Sequence, residues 1–414
     1  MRRRPLRSLL CASLVALLLG GATPGFAADG LVTHHDLTAR AFANWTHRHQ
    51  DEGYRLVRVE SRETPRGTRY TATWQVRGER RDWPLREQVD ARISHELATT
   101  GVPGIAVAVI EDGRLRYLRG FGHADVNDDV WMDGTIVGPY NSVSKAIAGA
   151  LTFDVAEASR GALGLTDRTR EHLPGLPAHH THTVGQLLNL RGCVGHYAHI
   201  PAATFDEPPY ETAGAAVAEF ADSPLVCEPG ERWHYSTHSY AVLGAVLEAH
   251  LGEPIGAIVD RWVTRGYRLP SVRPIDLSDT SVRRMTLYTG DNRELRPADS
   301  TYKVLGGGLE GSVLDMARFG QRIVDGDVVG AAALDRMLSP PDRLSTYAYG
   351  WTTGTEGGHR FADKDGAWPG SRTYLRIYPD DDVVVAVLSN RESGGHSPVR
   401  LGRDIGALVL GQLD

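Results

Sequence analysis

The chain of 414 residues is 41% apolar and 23% charged, which is ordinary globular material, long enough for one large core and a smaller module. That balance excludes intrinsic disorder as the default state. The formal net charge is −6 and becomes more negative once Arg2, Arg3, Arg4 and Arg7 leave with an N-terminal leader, so nothing attracts a polyanion and no nucleic-acid partner is expected.

The chain opens with a basic start, an apolar run from Leu9 to Leu19, and small residues in which Gly25 and Ala27 have the spacing of a cleavage site. Residues 1–28 therefore read as a secretory signal, and the mature protein is expected in the periplasm or outside the cell. The apolar run is too short to span a bilayer, no later segment is apolar enough to do so, and no stable membrane insertion is expected. The sequence says nothing about oligomeric state. Residues 29–82 read as a small separate module: a helix carrying Phe42, Trp45 and His49, then a hairpin of Tyr54–Ser61 and Thr68–Val76 about a turn with Pro65 and Gly67. Its GYR and RYTATW patterns resemble the short aromatic repeat that precedes the catalytic domain of secreted polyglycine hydrolases.

From residue 83 the segment DWPLREQVDARISHELATTGVPG predicts an amphipathic helix ending at Gly101 and Pro103. GIAVAVI and RLRYLRGFG then predict two apolar strands about a tight Asp-Gly turn. The tail mirrors this arrangement: SRTYLRIYPDDDVVVAVLSN gives two strands about an acidic turn, and a last helix runs from about Pro398 to Leu413. Helical patterns rich in Ala, Leu and Gly fill the middle. Residues 83–414 thus predict an α+β fold, an antiparallel sheet flanked by terminal helices with a helical subdomain inserted. Two cysteines remain after the leader, Cys193 and Cys227; an oxidising compartment favours a disulfide between them, and a pair of buried thiols is the other reading.

Only three lysines occur, Lys145, Lys303 and Lys364, against 42 arginines. Solvated positive charge is written here as arginine, which keeps its proton, whereas a buried lysine can lose one and act as a base. Lys145 follows Ser142 by three residues at the start of an apolar helix, a spacing that puts both side chains on one face. The helix N-terminus there favours negative charge developing on an attacked carbonyl. A Ser-x-x-Lys pair arises by chance about once in a chain of this length, so the pair gains weight only from its context. Tyr235 and Thr237 open a second apolar helix, and a tyrosine beside cations can shuttle a proton. Lys364 ends a strand and is followed by Asp365 and Gly366, where a glycine lets a substrate backbone approach an edge.

Taken in order, Ser142-x-x-Lys145, Tyr235 and Lys364-x-Gly366 resemble the serine β-lactamase and penicillin-binding-protein superfamily, in particular its class C β-lactamase, D-aminopeptidase and carboxylesterase branch. GIAVAVIEDGRLRYLRGFGHADV, TVGQLLNL, PGERWHYSTHSYAVLGAVLE, GGLEGSVLDMARFG and VVVAVLSN extend the resemblance across residues 83–414. It implies the β-lactamase/transpeptidase-like fold, with Ser142 as nucleophile, Lys145 as its partner, Tyr235 as general base and Lys364 as the cation that steers substrate and lowers the phenol's pKa. The oxyanion hole would be the backbone amides of Ser142 and Ala367. Three departures bear on the substrate: Thr237 stands where the family often has Asn, Gly192 and Cys193 where it often has Ser-Gly, and Asp365 where β-lactamases favour Thr.

The histidines cluster as His179, His180 and His182, then His196 and His199, then His234 and His238. Zinc is the sharp reading, but no companion cysteine or carboxylate box appears, and no metal or other cofactor is expected. Gly306, Gly307 and Gly308 lack the surroundings of a phosphate loop and are read as a turn near the pocket rim; Lys303 beside them either lines the site or lies on the surface. The expected function is hydrolysis of an amide or ester through a Ser142 acyl-enzyme, with a peptidase acting on D-residue or glycine-rich peptides in first place. A carboxylesterase or a class C-like β-lactamase is the alternative within hydrolases, and a non-catalytic sensor of cell-wall peptides is the alternative outside them.

Overall fold

The computed structural model describes residues 25–26, 31–51, 54–65, 67–76, 83–205, 208–343, 345–392 and 394–413. The leader read into residues 1–28 lies outside the described residues, apart from Gly25 and Phe26. The N-terminal module is a sheet backed by one helix. Strand β1 (Leu31–Leu37), helix α1 (Ala39–Asp51), β2 (Tyr54–Arg62) and β3 (Arg69–Val76) follow in order, and β3 lies between β1 and β2. A two-residue strand, Gly25–Phe26, pairs with β1. The hairpin of β2 and β3 is the one the alternation predicts; β1 is additional. Leu37 of β1 and Phe42 of α1 are buried with Ala72 and Trp74 of β3, so the module has its own small core.

In the larger unit, α2 (Arg86–Thr100) stops at Gly101, whose φ of +67° lets its N–H reach the Leu97 carbonyl, a glycine-capped helix end. Strands β4 (Gly104–Glu111) and β5 (Arg114–Asp125) join through Asp112 and Gly113, both in left-handed conformations, which matches the twist of a two-residue hairpin turn. Helix α3 (Ser144–Ala158), α4 (His238–Leu251) and α5 (Val313–Val324) belong to the middle of the chain. Strands β6 (Thr352–Glu356), β7 (His359–Trp368), β8 (Ser371–Tyr378) and β9 (Val383–Ser389) precede the last helix, α6 (Pro398–Val409). The main sheet runs β6-β7-β8-β9-β4-β5 and ends on the short strand Val130–Trp131, antiparallel throughout.

Strands β4 and β9 are central, and nearly every residue in both is buried. Both faces of the sheet are therefore covered. On one face α2 and α6 bring Val89, Ile93, Leu401 and Ile405 against Val107 and Val385. On the other, Met316 and Phe319 of α5 pack with Ala108, Leu388 and the helical region. Helix α3 is apolar on all sides, and its first eleven residues except Asp154 are in the buried interior, so it is the central helix of the second layer. The result is the α+β arrangement expected from residues 83–414, with terminal helices on one face and the inserted helices on the other.

Strand β7 is paired on both sides only in its first half. Strand β6 pairs with it from His359 to Asp363, and from Lys364 to Trp368 its sole strand partner is β8. The second half of β7 is thus a free edge with backbone groups available to a ligand. Lys364 stands in the interior of this strand rather than at its end.

Candidate active site

Ser142 lies in a single 3-10 turn, Asn141–Val143, immediately before α3. The helical register expected from the Ser-x-x-Lys spacing starts two residues later than the serine, and the nucleophile candidate sits on the tight entrance to the helix rather than within it. Asn141 adopts a positive φ of 51° and donates its side-chain amide to Ser371 Oγ at 2.9 Å, which pins the turn to β8. Thr373 Oγ1 ties the preceding residue to the same strand by donating to the Tyr140 carbonyl at 2.9 Å.

Around Ser142 the predicted groups converge. Its Oγ is 2.5 Å from the Tyr235 hydroxyl and 3.3 Å from Lys145 Nζ. Lys145 is fully buried; its ammonium also donates to Thr237 Oγ1 at 3.3 Å and to the Gly306 carbonyl. Lys145 Nζ lies 5.0 Å, and Lys364 Nζ 5.9 Å, from the centre of the Tyr235 ring. Four side chains drawn from a sequence separation of 222 positions, Ser142 to Lys364, thus meet within direct or near-direct reach of one another.

Electrostatics follow from that crowding. Burial works to raise the Tyr235 pKa, but the two nearby ammonium groups and the hydrogen bond from Ser142 outweigh it, and the phenol is held below its ordinary value. Burial lowers Lys145, with Lys364 pushing the same way and the phenol of Tyr235 opposing. Burial acts likewise on Lys364, but there Tyr235 and Asp365 prevail and hold its proton firmly. Lys364 is therefore the fixed cation, whereas Tyr235 and Lys145 are the pair from which a proton moves most readily; the three titrate as one coupled unit.

These groups border a cavity of about 270 Å³. Ser142, Tyr235, Thr237, Lys364, Asp365 and Ala367 all line it, so the residues of the expected oxyanion hole, Ser142 and Ala367, share one space. Asp365 forms an ion pair with Lys364 at 2.9 Å, so its charge partly neutralises the cation that the family resemblance assigns to a substrate carboxylate. Thr237 turns its hydroxyl to Lys145. Gly366 departs from its expected role. It is buried, and a Cβ there would lie 2.5 Å from the Tyr140 carbonyl oxygen and 3.0 Å from Asn141 Cβ, besides meeting Thr373 Oγ1. Its smallness serves the close packing of β7 on the turn that carries Ser142, not the approach of substrate; substrate-side exposure falls instead to Asp365 and Ala367, which alternate with it along the strand.

Four residues not picked out for the site from the sequence also line the cavity: Asn141, His196, Tyr197 and Trp368. His196 accepts the Thr237 backbone N–H on Nδ1 at 3.2 Å, and burial together with Lys145 lowers its pKa to about 4, so it is a neutral imidazole that orders the start of α4. Nothing local in the sequence marks these four, because they come from separate loops and a strand end. Lys303 lines the cavity as well, and here the scarcity of lysine was the signal: Lys303 and Lys364, 2% and 4% exposed, border the cavity, and Lys145, 0% exposed, stands behind Ser142. His180 bonds to His182 at 3.0 Å, His182 to Thr169 at 2.8 Å, and His238 faces the Ile200 carbonyl at 3.3 Å, all structural contacts. Among the described residues, no group of three or more His, Cys, Asp or Glu is placed to hold a metal ion. Cys193 and Cys227 are joined in a disulfide with their Cα atoms 5.3 Å apart.

Known proteins resemble this chain over both of its units. Residues 89–409 match the β-lactamase family model, and residues 28–77 match the model for a polyglycine hydrolase-like structural repeat. Penicillin-binding protein 4* of Bacillus subtilis (strain 168) is 26% identical over 314 residues, covering 69% of this chain and 68% of that protein. Among solved structures, the octameric penicillin-binding protein homologue from Pyrococcus abyssi superposes with a TM-score of 0.70 at 21% identity, over 79% of this chain and 78% of the other. The D-amino acid amidase from Ochrobactrum anthropi SV3 gives 0.63 at 16% identity, over 78% and 97%. With the family model spanning most of its length and the sheet, helices and free strand edge of that fold in place, the chain belongs to the β-lactamase family and is a serine hydrolase of the penicillin-binding-protein type.

Proposed function

We propose that this serine hydrolase is a secreted peptidase that cleaves amides of D-residue or glycine-rich peptides through an acyl-enzyme on Ser142. The observation that carries the acyl-transfer step is the 2.5 Å contact between Ser142 Oγ and the Tyr235 hydroxyl, with Lys145 Nζ 3.3 Å from the same oxygen. In this reading Tyr235, as phenolate, takes the Ser142 proton while Oγ bonds to the substrate carbonyl carbon. The carbonyl oxygen gains the negative charge and is held by the backbone N–H groups of Ser142 and Ala367. The C–N bond then breaks as the phenol returns its proton to the departing amine. Water, deprotonated by the same phenolate, attacks the acyl carbon, and Ser142 recovers its proton. The whole sequence uses side-chain and backbone groups of this chain.

Two comparisons favour a peptide, and one contact counts against a β-lactam. The N-terminal module matches a repeat of polyglycine hydrolases, and a D-amino acid amidase shares the fold over most of both chains. The charge of Asp365 beside Lys364 also weakens the site where a β-lactam carboxylate would be held. The test is a panel of D-aminoacyl amides, glycine peptides, short p-nitrophenyl esters and nitrocefin, each run against Ser142→Ala. Turnover of the amides, absent in the alanine variant, supports the proposal. Turnover confined to esters or nitrocefin overturns the substrate, and absence of fluorophosphonate labelling on folded protein overturns the acyl-enzyme in favour of a peptide sensor.

A further inference from the structure

Lys303 is the one cavity lysine to which the acyl-transfer chemistry gives no task. It stands in the turn Thr301–Lys303 before the Gly306 to Gly308 run, is 2% exposed, and opens onto the same cavity as Ser142. Its Nζ rests 3.0 Å from the centre of the Trp368 indole and 5.3 Å from that of Tyr302. Among the described residues, no carboxylate lies within ion-pair distance of it and no acceptor takes a hydrogen bond from it. The charged and titratable groups that face it are Lys145, His196, His238 and Asp299, the last acting from beyond ion-pair distance. A buried amine that keeps only aromatic faces for company is costly unless something completes it, because a lysine head gives up its hydration shell on burial.

The free edge of β7 runs Lys364, Asp365, Gly366, Ala367, Trp368. The carbonyl under attack sits by Ala367 in the reading above. The leaving group has to lie on the side of Tyr235 and Lys364, since the phenol protonates it. The acyl part then extends the other way along the edge, over Trp368, which is where the Lys303 amine waits. At the leaving-group end the cation Lys364 is already paired with Asp365 at 2.9 Å, so the cavity amine without an anionic partner is on the acyl side.

We propose that Lys303 is a specificity residue whose amine pairs with a carboxylate carried on the acyl side of the scissile bond, against the face of Trp368. The proposal rests on the acyl-transfer reading and adds the substrate class: acidic acyl groups, such as a peptide whose residue before the cleaved bond bears a free carboxylate. The indole supports the ammonium from below while the anion bonds it from the cavity, so both the charge and the donor capacity of the buried head are met.

The test uses the full mature chain and two matched pairs of probes. N-succinyl-glycine and N-acetyl-glycine p-nitroanilides measure turnover, and the corresponding succinyl- and acetyl-glycine amides measure protection of Ser142 against fluorophosphonate labelling. Wild-type protein is expected to favour the succinyl member of each pair by about tenfold, the worth of one charge-assisted hydrogen bond. Lys303→Met and Lys303→Gln are expected to bring the ratio close to one, and Lys303→Arg to retain a preference. A wild-type ratio near one, or a preference that survives in Lys303→Met, overturns the proposal and leaves the hydrolase reading intact. Loss of labelling in the wild-type protein, by contrast, removes the acyl-transfer reading on which it rests.

Discussion

Replacing Lys364 by glutamine tests whether the fixed cation acts on Tyr235. Its Nζ is 5.9 Å from the centre of the phenol ring; Lys364 is buried and Tyr235 half-buried. With an effective dielectric of about 20, Coulomb's law gives an attraction of about 3 kcal/mol between an ammonium and a phenolate at that distance, roughly a hundredfold in the population of the reactive base. The Asp365 carboxylate, 2.9 Å from the same ammonium, cancels part of this, so kcat/KM near neutral pH is expected to fall between about 10- and 100-fold. The sign is fixed: without the cation the phenol holds its proton to higher pH, so the rising limb of the pH profile of kcat/KM moves in the alkaline direction and the deficit shrinks as pH increases. Lys364→Arg keeps the charge and should keep the limb near its original place. The assay is the pH profile on an activated p-nitrophenyl ester whose own charge does not change over the range. A limb that stays at the wild-type pH while the plateau drops uniformly would mean that Lys364 leaves the phenol's proton untouched and only holds the substrate.

Three further outcomes follow from the geometry. Gly366→Ala places a Cβ 2.5 Å from the Tyr140 carbonyl, so the strand must lift from the nucleophile turn; fluorophosphonate labelling of Ser142 is expected to slow by more than about tenfold, with thermal stability lowered as well. The disulfide closes a loop with a sequence separation of 34 residues, so replacing Cys193 and Cys227 by alanine should cost about 4 kcal/mol in denaturant unfolding, with the slope read for any change in the unfolded state. Glu96 is buried, which opposes its charge, yet hydrogen bonds from His396 at 2.9 Å, the Ser397 amide and Arg400 hold its pKa down from 4.5 to about 2. Being depressed on folding, it contributes stability above about pH 4.5 that is lost as pH falls toward 2; Glu96→Gln should lower stability at neutral pH by up to about 3 kcal/mol and flatten the acid limb of the stability curve.

The sheet and its terminal helices are legible in the sequence because their signals are local. Period-two apolar runs about Asp112-Gly113 and the acidic Asp380 to Asp382 turn specify two hairpins, and Gly101 specifies a helix end. Strand β1 of the N-terminal module is not legible in the same way: LVTHHDL places two histidines and an aspartate in seven residues, and it becomes a strand only because β3 offers it an edge. The tight turn that carries Ser142 ahead of α3 is not legible for a related reason. The positive φ at Asn141 is held by Ser371 and by the packing of Gly366, both more than 200 positions away, and no window around Ser142 contains that information.

Within the site, the division runs along chemistry rather than distance. Residues that must exchange protons belong to a narrow set of types, and in a chain that otherwise uses arginine, the choice of lysine at positions 145, 303 and 364 marks burial before any fold is known, since the guanidinium is larger and keeps its charge. That criterion reaches Lys303 even though no motif surrounds it. His196, Tyr197 and Trp368 escape it because imidazole, phenol and indole are equally at home in ordinary cores, and only their convergence on Ser142 distinguishes them. The same contrast explains the charge arrangement of the cavity. A cation needed to hold a phenolate has to be kept from the substrate, and Asp365 at 2.9 Å from Lys364 does this; an amine meant for a substrate carboxylate has to be kept from protein carboxylates, and Lys303 is, with the ring of Trp368 in the place an aspartate would take.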